Sequence, residues 1–248
     1  MRNTIWLGAL VGLLLPALVN AASIDLTSTI RDFMDTHPDF ENGLGTEKNI
    51  VTDTIGPDRK PVYNKGDGSG SLTTHGQTYF DQWYRDVAGV NLSTPYTITL
   101  TEVGGGIYRY SNDSFFPIDD ELFGNQGRLH NYHFTLELHS QFTYEPGQVF
   151  SFTGDDDVFV YINDKLAIDL GGVHPAESAS VDLDTLGLTP EQTYNFDLFF
   201  AERHTVASDF MMETSIVMEQ PAVPVPSALL LGSLGVGLVN RLRRRGWF

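Results

Sequence analysis

The chain has 248 residues, of which 41% are hydrophobic and 12% aromatic, so it can bury a core and is not a disordered polymer. Its formal net charge of −17 repels nucleic acid, and we expect no nucleic-acid partner. The sequence contains no cysteine, which excludes disulfides and thiolate metal sites and leaves oxygen ligands for any hard cation.

The first segment carries an export pattern. Met1 and Arg2 precede an apolar run over residues 5–19, which closes on the small-residue sequence Val19-Asn20-Ala21. A short apolar run followed by such a site is typical of a secretory signal peptide. The pattern predicts a signal peptide over residues 1–21 and an exported chain that begins at Ala22.

The middle of the chain predicts one all-β domain over residues 22–220. Before Tyr96 the signals are mixed, with short helices predicted at 29–34 and 79–86 and a glycine-rich loop at 64–71. From Tyr96 onward apolar and polar residues alternate, which predicts half-buried strands at 96–100, 134–138, 158–162, 166–170, 194–200 and 210–218. Strands at this spacing favour an antiparallel β-sandwich or jelly roll with a few short helices.

Three consecutive carboxylates form the densest chemical signal. Asp155, Asp156 and Asp157 lie between a strand that ends at Phe152 and one that begins at Val158. Adjacent carboxylates repel one another unless water solvates them or a cation neutralises them, and calcium accepts such oxygen clusters. A calcium site and a solvated turn both remain open.

A second polar cluster follows the strand at 194–200. It contains Glu202, Arg203, His204 and Asp209. Because loops that follow different strands converge at one rim of a sandwich, we expect this cluster to lie beside the aspartates and to bind ligand. The alternative is a polar loop whose arginine pairs with a nearby acid.

The sequence contains none of the common catalytic motifs. It has no nucleophile elbow, zinc-protease helix or phosphate loop, so we predict no catalytic residue and no enzyme. His130 and His133 are spaced so that an extended chain places them on opposite faces, which disfavours a shared metal.

The last segment, residues 221–248, combines prolines, an apolar stretch and arginines. Pro224 and Pro226 precede the apolar residues 227–239, and Arg241, Arg243, Arg244 and Arg245 follow. The positive-inside rule would keep the arginines cytoplasmic, so the segment is a sorting tail or a membrane anchor. It resembles the PEP-CTERM sorting signal of exosortase-dependent Gram-negative bacteria. That resemblance implies an exosortase-type partner and a place in the cell envelope, at the cell surface or in an exopolysaccharide matrix.

The middle of the chain resembles the fibro-slime domain, which is related to the protective-antigen-type β-sandwich. The matching stretches are residues 30–33, 37–41, 60–63, 82–84, 115–119, 133–135, 154–162, 169–174 and 198–204. In the related flocculins, two consecutive aspartates hold a calcium ion that coordinates sugar hydroxyls. Carried over by position, those two aspartates are Asp155 and Asp156.

The resemblance implies a calcium-assisted carbohydrate-binding or adhesive module whose partner is an extracellular polysaccharide or glycan. Two alternatives stay open. The second hypothesis is a structural matrix protein, and the third is a polysaccharide-active enzyme. Glycan binding that a chelator abolishes would separate the first reading from the second.

Overall fold

The computed structural model describes residues 21–219, and ten strands of this part of the chain form one antiparallel sheet. The elements in chain order are β1 Ser23–Phe33, β2 Gly45–Thr46, α1 Gln77–Phe80, β3 Asn91–Gly104, β4 Ile107–Asn112, β5 Phe134–Thr143, β6 Val149–Gly154, β7 Asp157–Ile162, β8 Lys165–Leu170, β9 Gly172–Val173, β10 Glu177–Asp182, a 3-10 turn Leu183–Leu186, β11 Thr193–Glu202 and β12 Phe210–Thr214. The order across the large sheet is β10-β6-β12-β4-β3-β1-β5-β11-β7-β8, and β2 pairs with β9 separately.

The sheet folds over on itself to make a sandwich. Phe150 of β6 packs edge-to-face against Phe196 of β11 with ring centroids 4.9 Å apart, although the two strands are far apart in the sheet order. Phe115 and Phe210 continue this core, with centroids 4.7 Å apart. Each buried aromatic or aliphatic side chain contributes roughly 1.5–3 kcal/mol, so this layer dominates the stability of the fold. The predicted antiparallel β-sandwich is confirmed.

A second apolar cluster covers the outer face of β7 and β11. Phe159 and Phe199 point away from the main core and pack against Phe80 and Tyr84 of the irregular segment that follows β2. Because both faces of β7 are buried, its sequence is a continuous apolar run and does not alternate.

The helix predicted at residues 29–34 is wrong, because these residues belong to β1 and its end. Ile30 pairs with Thr94 of β3 and Leu136 of β5. The alternation is hidden there because Arg31 is buried as well, where it donates to Glu137 at 2.7 Å. The helix predicted at 79–86 is shorter and begins earlier, since α1 ends at Phe80 and turns follow it.

The predicted loop at 64–71 is confirmed as a series of turns. Among residues 21–219, no helix is both long and apolar enough to cross a membrane. The predicted signal peptide, apart from Ala21, and the predicted C-terminal sorting segment lie outside the described residues.

Candidate functional site

Asp155 and Asp156 form the corner between β6 and β7, and the peptide bond that joins them is cis. Both side chains are almost fully buried. The carboxylate of Asp155 accepts from the backbone N–H of Asp209, which leads into β12. The carboxylate of Asp156 accepts from the backbone N–H of His174 at 3.1 Å and of Arg203 at 3.0 Å. This corner therefore holds three separate chain segments together.

Asp157, the third aspartate, has a different environment. Its Oδ1 accepts from the backbone N–H of Gly172 at 2.7 Å, and its Oδ2 accepts from Arg203 Nε at 2.6 Å. Unlike the other two aspartates, Asp157 forms a fully buried ion pair, with Arg203, and its side chain does not line the cleft described below. The structure thus separates Asp157 from Asp155 and Asp156, with which we had grouped it as a metal ligand.

Arg203 also lies in the interior. Its guanidinium donates to the carbonyl oxygens of Asp39 at 3.1 Å and Thr73 at 2.6 Å, and it lies 4.6 Å from the ring centroid of Trp83. The sequence left two roles open for this polar cluster, ligand binding and pairing of its arginine with an acid. Arg203 has the second role, because it forms an ion pair with Asp157. Arg203 joins the irregular segment after β1 to the sheet and does not face the cleft.

Glu202 is buried beside the aspartate corner and is only partly satisfied. Its Oε1 accepts from the backbone N–H of His204 at 3.3 Å, whereas its Oε2 has no hydrogen-bond partner among the described residues. The hydroxyl of Ser208, also buried, lies beside this carboxylate and lowers its pKa, although the pair falls outside normal hydrogen-bond geometry. A buried carboxylate oxygen with so weak a donor is costly, so this position favours either a proton or a cation.

Burial and mutual repulsion raise the pKa values of these carboxyl groups. Desolvation raises the pKa of Glu202 well above its usual value, and the nearby charges of Asp156 and Asp155 add to this effect. Desolvation likewise raises the pKa of Asp156 well above its usual value, partly opposed by Arg203. The buried positive charge of Arg203 is directed at Asp157, which leaves the other carboxylates without an equal counter-charge.

A cleft of about 680 Å³ opens above Asp155 and Asp156. Four segments build its walls: the strand β2 with the residue before it, the chain after β9, the aspartate corner, and the loop between β11 and β12. The lining residues are Leu44, Gly45, Thr46, Asp155, Asp156, Val173, His174, Pro175, Ala176, His204, Thr205, Val206, Ala207 and Asp209. The expectation that the loop after β11 lies beside the aspartates is therefore confirmed, and His204 and Asp209 contribute to the cleft.

Two contacts that the sequence did not reveal fix the walls. Glu41 accepts from the backbone N–H of Thr205 at 3.0 Å and faces His133 Nε2 at 2.7 Å, so it anchors the loop after β11. On the other side β2 pairs with β9, with Gly45 opposite Val173. Gly172 has a φ of +107°, and a Cβ there would collide with the carbonyl oxygen of Gly45. Only glycine permits this close approach.

The donor chemistry of the corner fits calcium. Asp155, Asp156 and Glu202 supply carboxylate oxygens, which hard cations prefer, and the Glu202 Oε2 atom lacks a partner. Within residues 21–219, no three His, Asp or Glu side chains are arranged so that they alone could hold a metal ion. Further ligands would therefore have to be backbone carbonyls, water or the bound ligand. The calcium site stays a prediction.

The sequence profile of the PA14 domain matches residues 119–227 of this chain. The chain is 46% identical to protein psiR of Dictyostelium discoideum over 202 residues, which are 75% of this chain and 20% of psiR. It is 42% identical to protein psiD of the same organism over 209 residues, 78% of this chain and 42% of psiD. The chain thus spans less than half the length of these curated relatives.

Two solved structures give weaker matches. The PA14 domain of the MpAFP antifreeze protein aligns with a TM-score of 0.36 and 11% identity over 84% of this chain and 100% of that one. The PA14 sugar-binding domain of an RTX adhesin aligns with a TM-score of 0.30 and 9% identity over 45% of this chain and 71% of that one.

Proposed function

We propose that this chain is an exported adhesive module that binds an extracellular glycan in the cleft above Asp155 and Asp156, with calcium assisting. One observation carries the proposal: two consecutive buried aspartates, Asp155 and Asp156, line an open cleft. A bound cation would neutralise this carboxylate pair in place of a proton, and the resemblance to flocculins supports the same two aspartates.

Asp155 and Asp156 would hold the ion, and because no three His, Asp or Glu side chains of residues 21–219 are placed to hold a metal together, the remaining ligands would be backbone carbonyls, water and the sugar. A bound calcium ion would supply coordination for the hydroxyl groups of a sugar, which are neutral oxygen donors of the kind that calcium accepts. His204, Thr205 and Asp209 line the same cleft and would position the sugar by hydrogen bonds. The cleft volume of about 680 Å³ lies within the range of about 300–1,000 Å³ that small-molecule sites occupy.

The test is glycan binding by the full chain with and without calcium. We expect binding to glycans on an array in calcium and its loss in a chelator. Asp156→Asn should abolish binding, because it removes one proposed ligand while keeping the shape of the side chain. Asp25→Asn is the matched control, since Asp25 is an exposed carboxylate on β1 outside the cleft.

Three results would contradict the proposal or part of it. Glycan binding that survives both the chelator and Asp156→Asn would remove the calcium role and leave a plain lectin. A folded chain that binds no glycan in either condition would favour a structural matrix protein. Release of reducing sugar from an exopolysaccharide would favour an enzyme.

The proposal includes a route to the cell surface. Residues 1–21 would direct export, and residues 221–248 would be processed by an exosortase-type enzyme or retained as a membrane anchor, as the fibro-slime and PEP-CTERM resemblances imply. The folded part, residues 22–220, would then face the envelope surface or the exopolysaccharide matrix of a Gram-negative bacterium. Deleting residues 221–248 should move the protein from the envelope fraction to the medium. Unchanged envelope association would exclude a retention role.

A further inference from the structure

The walls of the cleft differ in chemistry from its base. Asp155, Asp156 and Asp209 supply carboxylates, and the other polar side chains are two threonines and two histidines. The remaining walls are aliphatic or glycine, and none of the described lining residues is lysine, arginine, phenylalanine, tyrosine or tryptophan. The cleft therefore offers polar groups at its base and aliphatic carbon at its sides.

The aliphatic walls are unusually exposed. Val206 is 84% exposed and Leu44 is 65% exposed, and both line the cleft from opposite segments. Among residues 21–219, the other large apolar side chains that are more than half exposed are Leu129 at 79%, Leu72 at 57%, Val217 at 54% and Val103 at 51%. Two large apolar side chains are thus exposed at the same opening of a strongly acidic chain, whose net charge is −17. Exposed apolar groups that cluster in this way indicate a surface that a ligand covers.

Charge and shape restrict that ligand. The described lining residues include no lysine or arginine, so an anionic sugar such as a uronic acid or a sulfated sugar could pair only with the proposed calcium ion, while the carboxylates of Asp155, Asp156 and Asp209 would repel it. Among the described lining residues, the only aromatic rings are the imidazoles of His174, which is buried, and His204, which is half-buried, so no Phe, Tyr or Trp ring offers the flat face of a sugar a stacking surface. The aliphatic walls instead suit a small apolar group that projects from the ring.

An ordinary hexose does not meet this requirement. Its exocyclic carbon carries a hydroxyl group, and pressing that group against Leu44 or Val206 would strip its water without giving it a hydrogen-bond partner. A 6-deoxyhexose carries a methyl group at the same position, which gains from burial. Its ring hydroxyls remain free to face the acidic base.

We infer that the cleft prefers neutral 6-deoxyhexoses over the hexoses from which they differ by one hydroxyl group. This inference rests on the proposed function, because it names the sugar class for the same cleft. The methyl group would contact Leu44 and Val206, while the ring hydroxyls face the aspartate corner.

The experiment compares matched sugar pairs on the full chain in calcium. L-Fucose and L-galactose differ only in the hydroxyl group at carbon 6, and so do L-rhamnose and L-mannose. We expect the deoxy member of at least one pair to bind about tenfold more tightly by titration, the lower end of what one apolar contact discriminates. Saturation-transfer NMR should place the closest protein contact on the carbon-6 methyl protons.

Variants locate the preference. Val206→Thr nearly keeps the shape of the side chain and adds a hydroxyl group, and Leu44→Asn makes the opposite wall polar. Each should reduce the affinity ratio of the pair toward one while glycan binding persists. Leu129→Asn is the matched control, because it changes an equally exposed residue outside the cleft and should leave the ratio unchanged.

The outcomes are distinguishable. Equal affinity within both pairs, or binding only of other glycans, overturns the 6-deoxyhexose preference and leaves the proposed function standing. If neither Val206→Thr nor Leu44→Asn alters the preference for the deoxy sugar, the methyl group binds elsewhere, and this result also overturns the inference. Failure of the folded chain to bind any glycan in calcium overturns the proposed function and the inference together.

Discussion

Arg203 and Asp157 form an ion pair in which Arg203 Nε donates to Asp157 Oδ2 at 2.6 Å and neither side chain has any exposed surface. The pair joins the end of β11 to the start of β7, and through Arg203 it also reaches the carbonyl oxygens of Asp39 and Thr73. Asp157 directly follows Asp156, and the backbone N–H of Arg203 donates to Asp156, so the pair helps to fix the aspartate corner.

Arg203→Met should destabilise the domain strongly. The substitution leaves the Asp157 carboxylate buried without its cation, and breaking a buried pair in this way costs about 3–5 kcal/mol. Chemical denaturation followed by tryptophan fluorescence measures the change, since Trp83 contacts the guanidinium. The double variant Asp157→Leu with Arg203→Met should lose less than the sum of the single variants. Additive losses would show that the two residues act independently.

Calcium should raise the melting temperature of the domain. A ligand bound only by the folded state stabilises it by mass action, by about 2.7 kcal/mol at a hundredfold excess over its dissociation constant. In Asp156→Asn the response should disappear. Without calcium this variant should melt somewhat lower than the wild type, because asparagine offers one acceptor oxygen where Asp156 accepts from the N–H groups of both His174 and Arg203. Identical melting of the wild type in calcium and in chelator would remove the site.

Asp32 should make stability depend on pH in the mildly acidic range. Burial raises the pKa of Asp32 to about 6, although Asn131 and Phe123 donate to its carboxylate. Because the unfolded chain releases this proton near pH 4 and the folded chain releases it near pH 6, the free energy of unfolding should fall as pH rises through that interval.

Asp32→Asn tests this sign. In chelator, the variant should show a shallower fall in unfolding free energy between about pH 4 and pH 6 than the wild type, since it lacks the titrating group. Asp25→Asn, which changes an exposed carboxylate on the same strand, provides the control. A slope that is the same in all three proteins would refute a raised pKa at Asp32.

His204→Ala should weaken ligand binding and leave stability almost unchanged. The side chain is half-buried at the cleft, and its Nδ1 faces only the carbonyl oxygen of the next residue, Thr205, at 2.9 Å. Loss of such a side chain should alter the free energy of unfolding by less than about 0.5 kcal/mol. Equilibrium unfolding and glycan titration on the same preparations separate the two effects. A large loss of stability would identify His204 as a structural partner of Glu41.

Local patterns in the sequence predicted the sheet and one side of the cleft. Alternation identified β3, β5 and β11, and the adjacent acids at 155 and 156 marked the corner between β6 and β7. The alternation of apolar and polar residues did not identify β1 as a strand. Arg31 is buried there because it pairs with Glu137 of β5, so a charged residue lies where the sequence pattern suggests an exposed one. A buried ion pair is invisible until the strands are placed side by side.

The opposite wall of the cleft could not be predicted. Leu44 and Val173 are far apart in the sequence and meet only because β2 pairs with β9 and Glu47 N–H donates to the carbonyl oxygen of Gly171 at 2.6 Å. Neither residue has a chemically distinctive side chain. Similarly, Glu202 and Arg203 were predicted as rim residues, whereas β11 extends through Glu202 and carries both into the interior.

Because Gly172 closely approaches Gly45, one position next to the cleft must remain glycine, whereas positions that line the cleft can accept substitutions. Any side chain at Gly172 would push β2 away from β9, so the spacing of the two walls depends on that glycine. Leu44, Pro175, Ala176, Val206 and Ala207 are all exposed, so their replacement removes little buried surface. A combinatorial library confined to these five positions should therefore yield folded proteins, and under the proposed function these proteins should differ in sugar preference.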